Sequence, residues 1–369
     1  MKKWTLLAWW ACTLGICAVN ISTQYPVQPR HKLYLFLFSP ARVELAGHSQ
    51  LSIHSDLEGQ FSHDEPVMLF NQNEKGDYAL TITEGQQKVL RWHLKIPREF
   101  DLSITHSEGP VTVQNISGSI DIESKNSNVE LIGIQNRDKI VNVKLARGDI
   151  RLKDSRTNAL LSTQGGDVTI HKLEGNPIVN SKGGDVTFRE VFTGEQVVFI
   201  RNSGGKIDLS SVSNGADIIN IGGDIVINTV HNFLIAKTVP GDIRVNHLKG
   251  WIKARSSGGD IHVRMRESIT WTRNDISLTS LSGDITLILP PLFSMTYSAE
   301  IRGLNTLDQN FSITNEFIDP GPASDSGTAG RKRRIQGSVY GGRNQVQLVT
   351  AFGHIRIVKE PYSSPERRE

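Results

Sequence analysis

One short phrase recurs along this chain and sets the spacing of nearly everything around it. Glycine, aspartate and an aliphatic residue follow one another at Gly148-Asp149-Ile150, Gly166-Asp167-Val168, Gly184-Asp185-Val186, Gly223-Asp224-Ile225, Gly241-Asp242-Ile243, Gly259-Asp260-Ile261 and Gly283-Asp284-Ile285. Gly205-Lys206-Ile207 is a variant with lysine in the aspartate slot. The glycines at 148, 166 and 184 are 18 residues apart, and so are those at 205, 223, 241 and 259. The step from 184 to 205 is 21 and the step from 259 to 283 is 24. A fixed short period, with a turn signal and an alternating strand in each copy, is the sequence form of a stacked β repeat.

The copy that starts at Gly166 shows how one period is built. Val168, Ile170 and Leu173 stand two, four and seven residues after the glycine, and later copies fill the same columns with Ile225, Ile227 and Val230, then Ile243, Val245 and Leu248. Period-two spacing places the first two on one face of a strand. The third follows a bend, a second turn glycine often comes after it (Gly175, Gly194, Gly215, Gly250), and a second short strand then carries Ile178, Val197, Ile218, Ile235 or Ile252. No copy buries its apolar columns alone, but copies stacked in parallel about 4.8 Å apart bury continuous ladders. The expected fold is therefore all-β: a single-stranded, β-helix-like solenoid with coils of about 18 residues, capped by extra N-terminal and C-terminal strands. The longer steps are expected to bulge outward near residues 190–196 and 266–275. A β-sandwich has no need of such a phase lock.

The flanks divide the rest. Residues 1–23 read as a signal peptide or N-terminal anchor, and residues 30–100 as an N-terminal β segment that caps the solenoid. Residues 101–358 form the repeat domain, with a Gly/Pro/Ser-rich mobile loop expected near 319–334. Residues 359–369 are a charged tail. The N-terminal assignment rests on Lys2 and Lys3 followed by an apolar run from Trp4 to Ile21, with a cleavage point expected after Ala18. The run is too short for a membrane span. Export is the expectation, to the periplasm, the cell surface or the medium, and an uncleaved segment would tether the chain to the membrane. Lipidation at Cys17 is disfavoured, because Ile16 occupies the place where lipoprotein signals carry a small residue. Both cysteines, Cys12 and Cys17, fall in this segment, so the remainder has no thiol for disulfides, metal or nucleophilic catalysis. Net charge is +3, and loss of Lys2 and Lys3 leaves +1. That near balance argues against nucleic acid as a partner.

The Leu94-Lys95-Ile96-Pro97 strand, the Gly-Ser-Ile and Gly-Asp-Ile repeats, and the closing element from Gly341-Gly342 through Gly353-His354-Ile355-Arg356-Ile357 resemble, in that order, the adhesin-like β-solenoid family. These are domains of unknown function in bacterial envelope proteins, and the resemblance runs from about residue 80 to 358. It implies an exported repeat protein and supplies no catalytic residues. The 21- and 24-residue coils and the basic stretch depart from the family's pattern.

Several residues invite a functional reading. Asp149, Asp167 and Asp185 would stack into one column and Asp224, Asp242 and Asp260 into another, split by Lys206, and stacked carboxylates suit Ca²⁺. Calcium-binding nonapeptide repeats need a second glycine frame that is absent here, and an aspartate after glycine also bonds the backbone just ahead in a tight turn, which is the role expected. His171, His231, His247 and His262 fall in four different columns, so no zinc set converges. Arg331, Lys332, Arg333 and Arg334 form the one dense basic run, able to meet an anionic surface but expected as part of the loop. Trp251 and Trp271 near coil turns could stack on sugar rings.

Two function classes compete. A non-catalytic binding or scaffolding module at the bacterial cell envelope, monomeric, without cofactor, and presenting a lateral face to a polysaccharide or envelope protein, fits best. A β-helix polysaccharide lyase needs a base beside calcium-binding carboxylates in a loop-walled cleft, which the short coils do not provide. An envelope-stress sensor component is the third alternative.

Overall fold

The computed structural model describes residues 7–13, 16–38, 40–61, 68–82, 87–266, 273–303, 311–318 and 333–361. Every regular element among them is a strand. The chain divides into two compact units, Met1–Gly184 and Asp185–Glu369.

In the first unit each repeat crosses two faces. On one face Val111, Val129, Ile150 and Val168 stand opposite one another in parallel pairs. On the other, Leu102, Ile120, Val141, Ala159 and Pro177 form the matching row. The apolar members of both rows are buried. The path turns between faces at a left-handed residue six positions after the glycine: Asn115, Asp154 and Lys172 have φ of 56°, 48° and 54°. Asn and Asp accept this conformation more readily than most side chains.

The second unit repeats the scheme with more uniform filling. Ile207, Ile225, Ile243, Ile261, Ile285 and Ile355 are successive parallel neighbours, all fully buried. Stacked β-branched side chains have few rotamers to lose and pack closely across a 4.8 Å step. Ala216, Leu234, Ile252, Ile276 and Val346 line the second face.

The longer steps keep register on both sides of an insertion. Val186 stands opposite Ile207, 21 residues on, while Val198 stands opposite Ala216, 18 on. The three extra residues therefore fall between Phe188 and Val198, around a turn at Gly194, where an outward bulge was expected. The second insertion falls between Ile261 and Ile276, because Ile261 opposes Ile285 and Ile252 opposes Ile276. Residues 267–272 of that stretch lie outside the described residues.

Both ends differ from expectation. The parallel ladder does not begin near residue 100. Lys32–Leu37 pairs in parallel with Asp101–Glu108, and Arg42–His48 with Val111–Gln114. Tyr78–Ile82 and Gln87–Pro97 then pair in parallel with the outer edges of Lys32–Leu37 and Arg42–His48. Residues 30–100 thus supply two rungs stacked out of chain order, together with antiparallel strands Ser52–Phe61 and Met68–Gln72 that do cap them. The C-terminal end mirrors this. Asn344–Thr350 and Ile355–Lys359 stack directly on Ile276–Ser280 and Ile285–Leu289. The earlier strands Met295–Ile301 and Ile313–Asn315 lie beyond them, with Arg333–Val339 antiparallel on the outside. The N-terminal stretch expected as a signal or anchor contributes strands Leu7–Thr13 and Ile16–Pro26, the latter antiparallel to Ser52–Phe61. Among the described residues no helix is long and apolar enough to cross a membrane.

Candidate functional site

The aspartate column is the first candidate, and its geometry is not that of a local turn. Within each unit the carboxylates reach across to the following rung. Asp149 Oδ1 accepts the backbone N–H of Asp167 at 3.0 Å. In the second unit Asp185 accepts from Lys206, Asp224 from Asp242, Asp242 from Asp260, Asp260 from Asp284 and Asp284 from the N–H of His354, all at 2.7–2.8 Å. The expectation that each aspartate bonds the backbone just ahead is corrected: the partner is the equivalent residue one rung on. Every such bond satisfies a turn N–H that faces away from the sheet ladders. Lys206 receives the Asp185 bond through its N–H but has no carboxylate to offer the next rung, so the column is interrupted there, and its Nζ turns to Asp208 at 3.0 Å. Burial works to raise the Asp208 carboxyl, but hydrogen bonds and charge from Arg189 and Lys206 outweigh it and hold Asp208 below the usual carboxylate range.

The glycine beside each aspartate has a steric reason to be there. A Cβ on Gly166 would run into the carbonyl oxygen of Gly148, and one on Gly241 into that of Gly223. Both have left-handed φ, 124° and 144°. A Cβ on Gly165 would meet nothing within 4 Å, so of the adjacent glycines only the second is required.

A second column escaped sequence reading. Three residues before the repeat glycine stands a buried polar side chain: Thr163 and Ser181 in the first unit, and Asn202, Asn220, Thr238, Ser256, Ser280 and Thr350 in the second. Thr163 Oγ1 donates to the Gly148 carbonyl at 3.1 Å, Thr238 to Gly223 at 2.7 Å, Ser256 to Gly241 at 2.8 Å and Thr350 to Gly283 at 2.9 Å. The same carbonyls that exclude a Cβ are satisfied by this column. Its signal was present in the sequence as a Ser, Thr or Asn at a constant offset from each glycine. In the first unit the column includes His106, opposite Ser124, and one apolar member, Leu145. His106 is 2% exposed and its Nδ1 lies 3.0 Å from Ser127 Oγ. Burial pushes its pKa down to about 4, against a smaller pull from the Ala41 carbonyl.

The remaining candidates are scattered. Register sets His171 opposite Lys153, His231 opposite Lys249, His247 opposite Thr229 and His262 opposite Arg244. Burial first, and then neighbouring Arg244 and Arg264, lower the pKa of His262. Among the described residues no group of three or more His, Asp or Glu side chains is arranged to hold a metal. Trp251 stacks on Phe233, ring centroids 5.0 Å apart and 12° from parallel, and stays 38% exposed. Trp271, Arg331 and Lys332 lie outside the described residues. Arg333 and Arg334 are not loop residues but open the strand Arg333–Val339. Arg333 donates to the Phe311 carbonyl, and Arg334 Nε to Ser298 Oγ at 3.2 Å.

The family description Toastrack DUF4097, a domain of unknown function, matches residues 48–233 and 223–303, more than half of the chain. No curated protein matches. Among solved structures, an adhesin-like protein of Bacteroides fragilis NCTC 9343 is 11% identical, covering 71% of this chain and 97% of its own, with a TM-score of 0.30. A protein of Clostridium sporogenes ATCC 15579, described in terms of cell adhesion, is 11% identical over 92% of this chain and 100% of its own, with a TM-score of 0.20. An adhesin-like protein of Parabacteroides merdae ATCC 43184 is 8% identical over 92% and 96%, with a TM-score of 0.23.

Proposed function

The chain belongs to the Toastrack DUF4097 family, and from that premise we propose that it is an exported β-solenoid that acts without catalysis as a binding or scaffolding module at the bacterial cell envelope. The observation that carries this reading is how the repeat uses its polar chemistry. The aspartates, the turn glycines and the buried hydroxyls and amides hold one rung to the next. What varies from rung to rung is the set of outward side chains, the pattern of a stiff frame that displays a surface.

Calcium enters this reading only as an alternative. The Oδ1 atoms already accept backbone N–H groups, so the carboxylates act as staples and no cofactor enters this reading. Export rests on the charged and apolar N-terminus. Cleavage after Ala18 removes Leu7–Thr13 but leaves Asn20 through Pro26 able to pair with Glu58 through Ser52, so the mature chain keeps its antiparallel cap. It acts as a monomer whose partner is a polysaccharide or envelope protein rather than nucleic acid.

Fractionation of cells producing the tagged chain, with N-terminal sequencing, tests export, and binding of the purified mature chain to washed envelope material tests the binding role. An exported, envelope-retained chain is expected. A chain confined to the cytoplasm, or one that turns over polysaccharide with release of unsaturated ends, would overturn the reading.

A further inference from the structure

We propose that a trough at the C-terminal end of the second unit binds a neutral saccharide, an inference that rests on the binding role above. The trough follows from side-chain length. Met295–Ile301 runs between Arg333–Val339 on one side and Asn344–Thr350 on the other. Two of its three outward residues, Thr296 and Ser298, are short and half-buried, and the third is Glu300. Facing them across the flanking strands are long, exposed side chains: Gln336 and Gln347 on either side of Ser298, and Gln345 beside Thr296. A row of short residues between two rows of long ones leaves a groove, here about 690 Å³.

Its chemistry is that of hydroxyl recognition. Each glutamine amide offers two donors and an acceptor in one plane, a match for neighbouring sugar hydroxyls that both donate and accept. No side-chain hydrogen bond occupies the amides of Gln336, Gln345 or Gln347 among the described residues, so all three are available to a ligand. Arg334, its Nε held by Ser298, is the one cation in the lining, and Glu300 stands directly opposite it. A polyanion would need several unopposed cations, and an apolar ligand would leave the amides unpaired.

An aromatic residue lies on the same row. Ile252 opposes Ile276, and Asp275 Oδ1 accepts the N–H of Gln345 at 2.8 Å. Register therefore runs from Trp251 through Asp275 to Gln345, two strand spacings, roughly 10 Å. Trp251, backed on one side by Phe233 and partly exposed, offers an amphipathic surface beside the trough for the apolar face of a sugar ring in an extended chain.

The test is the full chain on an array of immobilised neutral and acidic glycans, beside the double variant Gln336→Ala/Gln347→Ala and the single variant Trp251→Ala. Thermal midpoints are recorded to show that the exposed substitutions leave the fold intact. Capture of neutral glycans is expected, competed by the same glycan in solution, about tenfold weaker in the double variant and weakened less in Trp251→Ala. Absence of neutral-glycan capture overturns the proposal, as does capture unchanged by the double variant, which would place the glycan elsewhere on the chain. Capture confined to acidic glycans and abolished by salt overturns it as well. Envelope binding that persists in the double variant would sink the trough alone, whereas loss of all envelope binding by the unaltered chain would sink the binding role itself.

Discussion

The repeats between Gly148 and Leu289 and the two ends of the chain are built from the same strands but ordered by different rules. Within each unit, the repeat rungs stack in chain order, and the same small set of contacts recurs: aspartate to the next N–H, polar side chain to the glycine carbonyl, aliphatic on aliphatic. At the ends, chain order and stacking order part. Tyr78–Ile82 and Gln87–Pro97 lie outside Lys32–Leu37 and Arg42–His48, and Met295–Ile301 and Ile313–Asn315 lie outside Asn344–Thr350 and Ile355–Lys359. Antiparallel strands then cover the last rung, at Ser52–Phe61 and Met68–Gln72 in one unit and Arg333–Val339 in the other. The difference teaches that a periodic frame needs an aperiodic ending. A terminal rung has no successor to receive its edge, and an exposed parallel edge recruits other chains.

The largest predicted effect separates two adjacent glycines of one regular rung. Gly166→Ala forces a left-handed alanine against the Gly148 carbonyl and is expected to cost about 4 kcal/mol from backbone strain and overlap. Gly165→Ala meets open space and is expected to stay within about 0.5 kcal/mol. Denaturant unfolding of the pair checks this, and equal losses would remove the steric account of the repeat glycine.

Next comes the boundary between the N-terminal end and the regular repeats, where His106 stands between Leu37 and Ser124. Its folded pKa of about 4 lies below the unfolded value of 6.5, so the unfolded chain binds the proton first as pH falls. The neutral histidine's contribution is complete above pH 6.5 and is lost progressively toward pH 4, approaching about 3 kcal/mol. His106→Asn should flatten stability over that window, and an unchanged slope would show that His106 titrates normally.

A smaller effect is expected for the staple. Asp242→Ala leaves the Asp260 N–H without its partner and should cost about 1 kcal/mol, while Asp242→Asn, which keeps the oxygen, should cost less. Added Ca²⁺ should leave the midpoint of the unaltered chain in place; a rise that Asp242→Ala abolishes would make the column a cation site. The smallest effect belongs to the far N-terminus. Removal of residues 1–18 should change the midpoint little, because the pairing of Asn20 through Pro26 with Ser52–Phe61 is retained.

The legibility of the molecule follows the same division. The isoleucine ladder, the 18-residue phase and the place of the three-residue bulge near Gly194 were readable, because each depends on residues close together in sequence. The stacking of residues 32–48 against 101–114 was not, since nothing local to Arg42–His48 says which strand its edge will meet. The aspartates were visible, but their partner was not, because a bond to the residue 18 positions on looks in sequence like a bond to the next turn. The polar column of Thr163, Thr238 and Thr350 was legible in principle, as a Ser, Thr or Asn three residues before each glycine. The trough was beyond reach: Ser298, Gln336 and Gln347 are brought together by an antiparallel and a parallel pairing that no periodicity announces.

The central claim is that the 18-residue segment is an interchangeable rung. Its most direct test is thermal unfolding, followed by circular dichroism, of two internal deletions. Removing Gly241–Gly258 joins Pro240 to Gly259 and keeps every column in phase, whereas removing Gly241–Lys249 shifts the following strands by half a period. The account predicts a cooperative β-sheet transition at a somewhat lower midpoint for the 18-residue deletion and no cooperative transition for the nine-residue one. If the in-phase deletion unfolds as completely as the out-of-phase one, the rungs are not equivalent and the account is wrong.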